Sequence, residues 1–196
     1  IIKIDKNNNV KLIMTQAYKE KVTWDDRYNV TTNSNTGINS YDVSRIKEKL
    51  TDIYNTEKMF SENVKKHIVS TDICVGKRSI NNFSLDNKDL CDKVLEKQFL
   101  SLIDVTEYYN ASLDTNCKAL SDLSCDNYNY FSSFFTSGWT ITGVLENTYE
   151  VYKSIAGEPY ANKANTTNSI YLVLHVSGNE KFISGSGTET DPFIID

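Results

Sequence analysis

Hydrophobic periodicity changes along this 196-residue chain, and the change limits the folds that the sequence can adopt. In the first two thirds, apolar residues recur at spacings of three and four, as they do on one face of an α-helix. After about residue 128, apolar and polar residues alternate with a period of two, which is typical of β-strands. A strand pattern also opens the chain. Helices between two strand-rich ends favour an α+β fold over repeated βαβ units.

The pattern predicts three helices. Ser40 is placed to cap the first helix, because a serine oxygen accepts from the free amides of a first turn. One face of this helix is formed by Val43, Ile46, Leu50, Ile53 and Tyr54. The second helix is predicted over residues 61–68. The third follows Asp104, whose spacing from Glu107 matches a capping box.

The strand pattern predicts an N-terminal hairpin and four later strands. The hairpin joins residues 1–5 and 10–14 through a polar turn, and the Asn- and Thr-rich stretch 24–40 is expected to be a loop. The later strands are predicted at residues 138–142, 149–154, 170–176 and 193–195. With two prolines and no Ser/Gly-rich linker, residues 1–196 are expected to form a single domain.

Composition excludes several classes of protein. The chain is 39% hydrophobic and 24% charged with a net charge of −5, which is ordinary for a globular protein and not for a disordered one. No apolar run has the eighteen or so residues that cross a bilayer, so we expect contact with a membrane only through an upstream anchor. Basic residues form no stripe, and nucleic acid is not an expected partner.

Four cysteines form two local pairs, Cys74 with Cys91 and Cys117 with Cys125. Neither spacing matches a zinc knuckle, so disulfides are the favoured interpretation, with local pairing because the partners are close in sequence. Four reduced, buried cysteines in a cytosolic protein are the alternative. Two disulfides would place the protein in an oxidising compartment outside the cytoplasm.

The sequence offers no convincing catalytic or cofactor motif. It lacks a Gly-x-Ser-x-Gly elbow, and His67 and His175 are predicted to be structural. The run 185–187 is predicted to be a turn instead of a phosphate cradle. Asp5 and the pair 25–26 have no carboxylate partner at a defined spacing, so a calcium loop or a glycosidase pair is only a minor alternative. No cofactor is expected.

Aromatic residues are abundant, with 12 Tyr, 8 Phe and 2 Trp. Such clusters most often form a core. They also suit a binding surface, because Tyr and Trp offer large rigid contact area at low entropic cost. Together with the loop 121–130, the candidate ligand contacts are Trp139, Tyr149, Tyr152, Tyr128 and Tyr130.

Three runs of sequence resemble motifs of one known family. Residues 184–195 read Ser-Gly-Ser-Gly-Thr-Glu-Thr-Asp-Pro-Phe-Ile-Ile, residues 138–142 read Gly-Trp-Thr-Ile-Thr, and residues 1–13 form the opening hairpin. The first run is similar to the signature S-G-x-G-T-x-x-[DN]-P-[FY]-x-I of a surface-associated domain family of unknown function in low-GC Gram-positive bacteria. The chain departs from that family at residues 171–172, where Tyr-Leu stands in place of Arg-Pro.

This resemblance implies a C-type-lectin-like fold, related to the C-terminal domains of bacterial collagen-like adhesins. In that fold, two or three helices pack on twisted antiparallel sheets, and the N- and C-terminal strands pair. The implied function is a non-catalytic binding or adhesion module on the bacterial cell surface, with a glycan or protein on a host or neighbouring cell as ligand.

Two other functions remain open at this point. The chain is a structural subunit or tip domain of a pilus-like filament if its terminal strands pair with neighbouring copies. It is an enzyme if the scaffold acts like the related formylglycine-generating enzymes, which hold copper with closely placed reactive cysteines. Free thiols at Cys117 and Cys125 would favour the enzyme.

Overall fold

A computed structural model describes residues 1–80, 91–111, 130–155, 158–188 and 190–195 of the chain. Within these residues the fold is α+β, with three short helices among many short strands, as the change of period predicts. The helices are α1 (Arg45–Asn55), α2 (Glu62–His67) and α3 (Val105–Asn110). The strands are β1 (Lys3–Ile4), β2 (Asn9–Ile13), β3 (Val22–Thr23), β4 (Ile68–Val69), β5 (Thr71–Val75), β6 (Lys77–Arg78), β7 (Lys93–Gln98), β8 (Leu100–Ser101), β9 (Ser137–Val144), β10 (Glu150–Ile155), β11 (Glu158–Lys163), β12 (Thr167–Asn168), β13 (Val173–Ser177), β14 (Phe182–Ser184) and β15 (Ile194–Ile195).

Two sheets form the body of the fold. In the first, β13 is central: β2 pairs along one side of it, and β4 and β8 pair along the other. The predicted N-terminal hairpin is confirmed, because β1 pairs with β2 in antiparallel register. The second sheet has the order β11-β10-β9-β6, and β6 is parallel to β9. Three two-stranded ribbons, β3–β12, β5–β7 and β14–β15, complete the strands.

Local capping explains where the helices begin. Ser44, and not the predicted Ser40, caps α1: its side chain accepts from the Lys47 amide, and residues 41–43 form a separate 3-10 turn. The Ser40 side chain accepts no capping bond from that turn and donates instead to Asp42. The predicted second helix is confirmed behind a cap at residue 61, and the predicted capping box opens α3.

The two tryptophans lie in the main core and join the β3 segment to β9 of the second sheet. The Trp24 indole N–H donates to the Thr140 carbonyl at 3.0 Å, and the Trp139 indole N–H donates to the Val22 carbonyl at 2.8 Å. Each buried indole therefore fills the core and satisfies a loop or strand carbonyl. A second cluster confirms the core interpretation for a group of aromatic residues, namely Tyr108, Phe131, Phe135 and Tyr171.

The predicted pairing of the chain ends holds only in part. The N-terminal hairpin pairs with β13, near the end of the chain, but the last strand, β15, pairs with β14. Two glycines with positive φ, Gly185 and Gly187, lie between β14 and β15 and turn the chain back on itself. Local closure of this hairpin therefore replaces pairing of the last strand with β1. We call β14, β15 and the turn between them the C-terminal arm.

A disulfide links Cys74 to Cys91, as predicted, with their Cα atoms 5.0 Å apart. It lies on the exposed face of the β5–β7 ribbon, while Ile73 and Leu95 point into the core from the other face. The predicted partners Cys117 and Cys125 lie outside the described residues. None of the described helices is long and apolar enough to cross a bilayer.

Candidate functional site

The structure separates the five aromatic residues that the sequence predicts as ligand contacts. Trp139 and Tyr152 are fully buried, so a ligand cannot stack on either ring unless the core opens. Tyr149 is half-buried in the turn before β10. Tyr128 and the side chain of Tyr130 lie outside the described residues. Of the five, Tyr149 is therefore the one that the structure places at a described surface.

Tyr149 belongs to a larger surface made by three loops. We call this surface the loop face, and its segments are residues 25–38, 145–149 and 163–166. The Ala164 amide donates to the Tyr149 carbonyl at 2.8 Å, and the Asn165 side-chain amide donates to the Asn35 carbonyl at 2.8 Å. The three segments are therefore bonded to one another.

Asp25 is a fully buried residue whose hydrogen bonds hold the loop face in place. Its fully buried carboxylate accepts from the backbone amides of Arg27, Ile38 and Arg45, each at 3.1 Å. The Arg27 guanidinium donates to the same carboxylate at 2.6 Å. Because Arg45 is the first residue of α1, the carboxylate also lies at the positive end of the helix dipole. One side chain thereby fixes both ends of the first loop and the start of α1.

Gly37 lets the first loop close on Asp25. Its φ of +80° is a left-handed conformation that side chains other than glycine rarely adopt, and a Cβ there would collide with the Asp25 carbonyl. The Gly37 amide donates to the Arg27 carbonyl at 3.0 Å. The position therefore requires glycine for two independent reasons.

Asn29 ties the tip of the first loop to the second loop. Its buried side-chain amide donates to the Gly37 carbonyl at 2.7 Å and to the Thr148 carbonyl at 3.0 Å. Its side-chain oxygen accepts from the Thr31 amide at 3.0 Å, as in an Asx turn. The backbone amide of Asn29 also donates to the Ser34 carbonyl at 2.8 Å, and this bond closes the tip as a narrow loop.

Asn39 organises the second loop in the same way. Its buried side-chain amide lies 2.8 Å from the Val144 carbonyl, 2.9 Å from the Asn147 carbonyl and 2.8 Å from the Glu150 carbonyl. Its backbone amide donates to the Thr148 carbonyl at 3.0 Å. Buried polar groups are retained when they are bonded, and here the bonds fix a turn that has little apolar packing of its own.

The first loop exposes apolar side chains at its braced tip. Val30 is 84% exposed and Tyr28 is 51% exposed. The Tyr28 hydroxyl is bonded to the side chain of Asn33, which itself has a φ of +52°. Contact groups that are already ordered lose little conformational entropy when a ligand binds. The loop face can therefore offer rings, methyl groups and amides in a fixed arrangement.

A buried ion cluster lies elsewhere, against the first sheet. Glu107 accepts from Lys11 at 2.7 Å and forms an ion pair with Lys3 at 2.6 Å. Burial alone would raise the pKa of Glu107, but the charges of both lysines lower it to about 2. The cluster joins α3 to the N-terminal hairpin. A carboxyl group with this pKa is a poor general acid or base near neutral pH.

A second ion cluster lines a depression of about 410 Å³. The Glu57 carboxylate accepts from the Tyr18 hydroxyl at 2.6 Å and from Lys49 at 2.9 Å. These bonds, together with one from Lys19, lower the pKa of Glu57 to about 2. The groups bonded to Glu57 therefore stabilise its charged form, and a carboxyl group with this pKa is a poor general acid or base near neutral pH.

The two histidines and two of the predicted lone carboxylates, Asp5 and Asp25, have bonded partners, while Asp26 is exposed. His67 Nδ1 lies 2.9 Å from Glu180, and His175 Nδ1 lies 3.1 Å from the Thr71 hydroxyl. Asp5 accepts from two amides of the β1–β2 turn, and Asp25 is occupied as described above. Among the described residues, no group of three or more His, Cys, Asp and Glu is placed to hold a metal ion.

The chain matches no protein-family model, no curated protein sequence and no solved structure. The family resemblance of its sequence motifs therefore stays a prediction.

The sequence patterns do not mark Asn29 and Asn39, and they mark Asp25 only as part of a minor calcium-loop or glycosidase alternative. Asparagine is common throughout this chain, so no single Asn stands out from its composition. A local signal existed at the first loop, since Asp-x-Arg followed by a glycine at residue 37 is consistent with a carboxylate that accepts from its own loop. The contacts to residues 144–150 are more than a hundred residues away in sequence, and no local pattern reveals them.

Proposed function

We propose that the chain is a non-catalytic binding or adhesion module of the bacterial cell surface, which takes a glycan or protein ligand on its loop face. The observation that carries this proposal is the bracing of the first loop. Asp25, Asn29 and Asn39 are buried beneath a tip that leaves Tyr28 and Val30 exposed. A rigid scaffold with exposed contact groups on loops is the usual arrangement of binding modules.

The disulfide supports an extracellular location. Cys74 and Cys91 are bonded on an exposed face of a two-stranded ribbon. Disulfides persist in oxidising compartments and are rare in reducing ones. On the chain-entropy description, a loop of this length contributes roughly 3 kcal/mol of stability. A loop-rich surface module gains from such a covalent link outside the cell.

The proposed fold is C-type-lectin-like, within the family that the sequence motifs resemble. The pairing of the N-terminal hairpin with β13, close to the end of the chain, supports this proposal. Under this proposal, the loop face is the ligand-binding loop region of the C-type-lectin-like fold. The alternative of a copper enzyme depends on Cys117 and Cys125, which lie outside the described residues, so the structure gives it no support.

The test is a binding experiment with loop-face variants. The intact chain is applied to a printed glycan array and to a panel of immobilised extracellular-matrix proteins. Val30→Lys and Tyr28→Ala are expected to weaken binding to any retained probe at least about tenfold, because both remove exposed contact groups without opening the core. Val94→Lys is the matched control, since Val94 is exposed on the β5–β7 ribbon.

Two results would contradict the proposal. One is that no glycan or matrix protein is retained by the folded, disulfide-bonded chain. The other is that Val94→Lys weakens binding as much as Val30→Lys, which would place the ligand away from the loop face. Intact mass before and after reduction and alkylation tests the compartment separately, because it counts the disulfides directly.

A further inference from the structure

The first loop of the loop face ends in a narrow, projecting turn. The Asn29 amide donates to the Ser34 carbonyl at 2.8 Å and the Ser34 amide donates to the Asn29 carbonyl at 3.3 Å, so residues 30–33 stand beyond this pair of bonds. Val30 lies in the turn and is 84% exposed, the largest exposed fraction of any large hydrophobic side chain that the structure describes. A side chain with so little contact lines no cleft. The turn is therefore a convex feature of the surface.

Most polar side chains in and beside this turn are already bonded. Six of the eight polar side chains in residues 28–36 have partners within the chain, namely Tyr28, Asn29, Thr32, Asn33, Ser34 and Thr36. The Thr32 hydroxyl, for example, lies 2.6 Å from the Thr36 hydroxyl and 3.0 Å from the Ser34 hydroxyl. The other two, Thr31 and Asn35, are exposed. The turn therefore has few hydrogen-bonding side chains to offer a ligand without first breaking bonds of its own.

The apolar groups of the turn are exposed and ordered. The Tyr28 ring is 51% exposed, and its hydroxyl is bonded to the Asn33 side chain, which occupies its polar end and fixes the ring. The Thr31 amide donates to the Asn29 side-chain oxygen at 3.0 Å, which holds the backbone on both sides of Val30. The turn therefore presents methyl groups and a ring in a fixed arrangement, at little cost in conformational entropy.

These properties favour a protein over a glycan as the ligand. Sites for small molecules are concave and present several converging polar groups. The turn is convex, and most of its polar side chains are occupied. Protein interfaces instead bury apolar and aromatic anchors in well-packed pockets of the partner. A partner of this turn must supply the concave surface itself, which a folded protein does.

Charge on the loop face disfavours a lipid bilayer as the apolar partner. Its exposed charged side chains are Asp26, Glu146 and Lys163, so negative charges outnumber positive ones. Loops and helices that insert into anionic membranes carry basic residues beside their apolar ones. The loop face lacks that excess of basic residues among its exposed side chains.

We propose that Val30 and the Tyr28 ring enter an apolar pocket on a folded protein partner, with the exposed Thr31 hydroxyl outside that pocket. This inference rests on the proposed function and narrows it. The ligand of the loop face is a protein, and it is recognised through its polypeptide and not through attached sugars.

The test exchanges a methyl group and a hydroxyl group at neighbouring positions. Val30→Thr keeps the shape of the side chain but brings a hydroxyl into the pocket, so affinity for a retained protein is expected to fall about tenfold. Thr31→Val makes the reverse exchange and is expected to change affinity by less than about threefold. A glycan that bonds to the turn predicts the opposite order. Val94→Thr, on the β5–β7 ribbon, is the matched control.

The probes separate protein, glycan and lipid. The intact chain is applied to the immobilised matrix proteins in native, enzymatically deglycosylated and denatured form. It is also applied to the printed glycans and to vesicles of phosphatidylcholine, with and without phosphatidylglycerol. We expect at least one native matrix protein to retain the chain, with equal affinity after deglycosylation. Denaturation of that protein should abolish retention, because a pocket requires a folded partner.

Retention by printed glycans, or loss of retention after deglycosylation, overturns this inference and leaves the proposed function standing, because a glycan is then the ligand. An affinity unchanged by Val30→Thr also overturns it, since the contact then lies away from the turn. Retention by vesicles alone, or by no probe, overturns both the inference and the proposed function. Far-ultraviolet circular dichroism of each variant checks that the fold is retained.

Discussion

The loop face and the C-terminal arm both expose apolar side chains, but they are supported in different ways. Val30 stands on a loop whose ends are bonded to the buried carboxylate of Asp25. Ile183 stands on a ribbon closed by a turn in which the exposed Asp191 accepts from the Ser186 amide at 2.9 Å. The exposure of an apolar side chain therefore does not by itself show how ordered the surrounding surface is. What lies beneath the exposed residue decides how ordered it is before any partner arrives.

The two regions therefore differ in how strongly the rest of the fold holds them in place. The braced loop face is ordered in advance and can hold a ligand with little further loss of entropy. The arm is a two-stranded ribbon, and within the described residues no further strand pairs with it, so its order depends on few contacts of its own. Substitutions of the residues that support each surface should distinguish the two regions. Those beneath the loop face should lower global stability, and those in the arm should change only local order.

The largest effect is expected from Asp25→Ala. The change leaves three buried backbone amides and the Arg27 guanidinium without their acceptor. Loss of one partner from a buried, bonded charge costs about 3 to 4 kcal/mol. The free energy of unfolding from urea titration measures it. Asp26→Ala is the matched control: Asp26 is exposed, and its loss should change stability by less than about 0.5 kcal/mol.

A pH series probes the first sheet, whose central strand β13 leads into the C-terminal arm. His175 is buried on β13, where it faces Thr71 and lies in the field of Lys11, Asp5, Glu107 and Lys3. Burial, assisted by the charge of Lys11, lowers its pKa from 6.5 to about 4. The unfolded chain therefore binds more protons between these values, and stability falls as pH decreases from 6.5 to 4. The loss is expected to reach at most about 3 kcal/mol.

His175→Gln should remove most of that pH dependence, because no imidazole remains to be protonated at the site. His67→Gln is the control, since His67 lies near the surface beside Glu180, and it should leave the dependence in place. Urea titrations at closely spaced pH values measure the slope. A wild-type curve that is flat between pH 6.5 and 4 would contradict the burial of a neutral His175.

The smallest expected effect comes from a pair of glycine substitutions that test the comparison directly. Gly37→Ala forces a side chain into a φ of +80° and against the Asp25 carbonyl, which should cost about 2 kcal/mol of global stability. Gly185→Ala meets the same two obstacles, with a φ of +96° and contact with the Pro192 carbonyl. It should loosen the arm with less than about 0.5 kcal/mol of global change.

Equal losses of global stability from both glycine variants would show that the arm is part of the cooperative fold. That result would remove the distinction between the two regions. Thermal or urea unfolding gives the global value, and proton–nitrogen spectra report local changes in the arm.

Local sequence patterns predicted much of the scaffold. The first hairpin, the three helices and the bond between Cys74 and Cys91 follow from alternation, from spacings of three and four, and from short separation in sequence. The same reasoning misplaced the first cap, because Ser40 and Ser44 are both suitable residues. The 3-10 turn that separates them has no distinct local signal.

The candidate site was much harder to predict. Aromatic content pointed to Trp139 and Tyr152, whose rings are instead fully buried. The residues that build the loop face are polar, and their partners are distant in the chain: Asn39 contacts the carbonyls of residues 144, 147 and 150. Hydrophobic periodicity does not report on buried amides, so this site became visible only in three dimensions.

Hydrogen exchange under native conditions tests the contrast between the two regions most directly. The amides of Arg27, Ile38 and Arg45, which donate to Asp25, are predicted to exchange only with global unfolding. The amides of β14 and β15 are predicted to exchange many times faster. Rapid exchange at the Asp25 donors, or arm amides protected as strongly as they are, would contradict the difference between a braced surface and an open one.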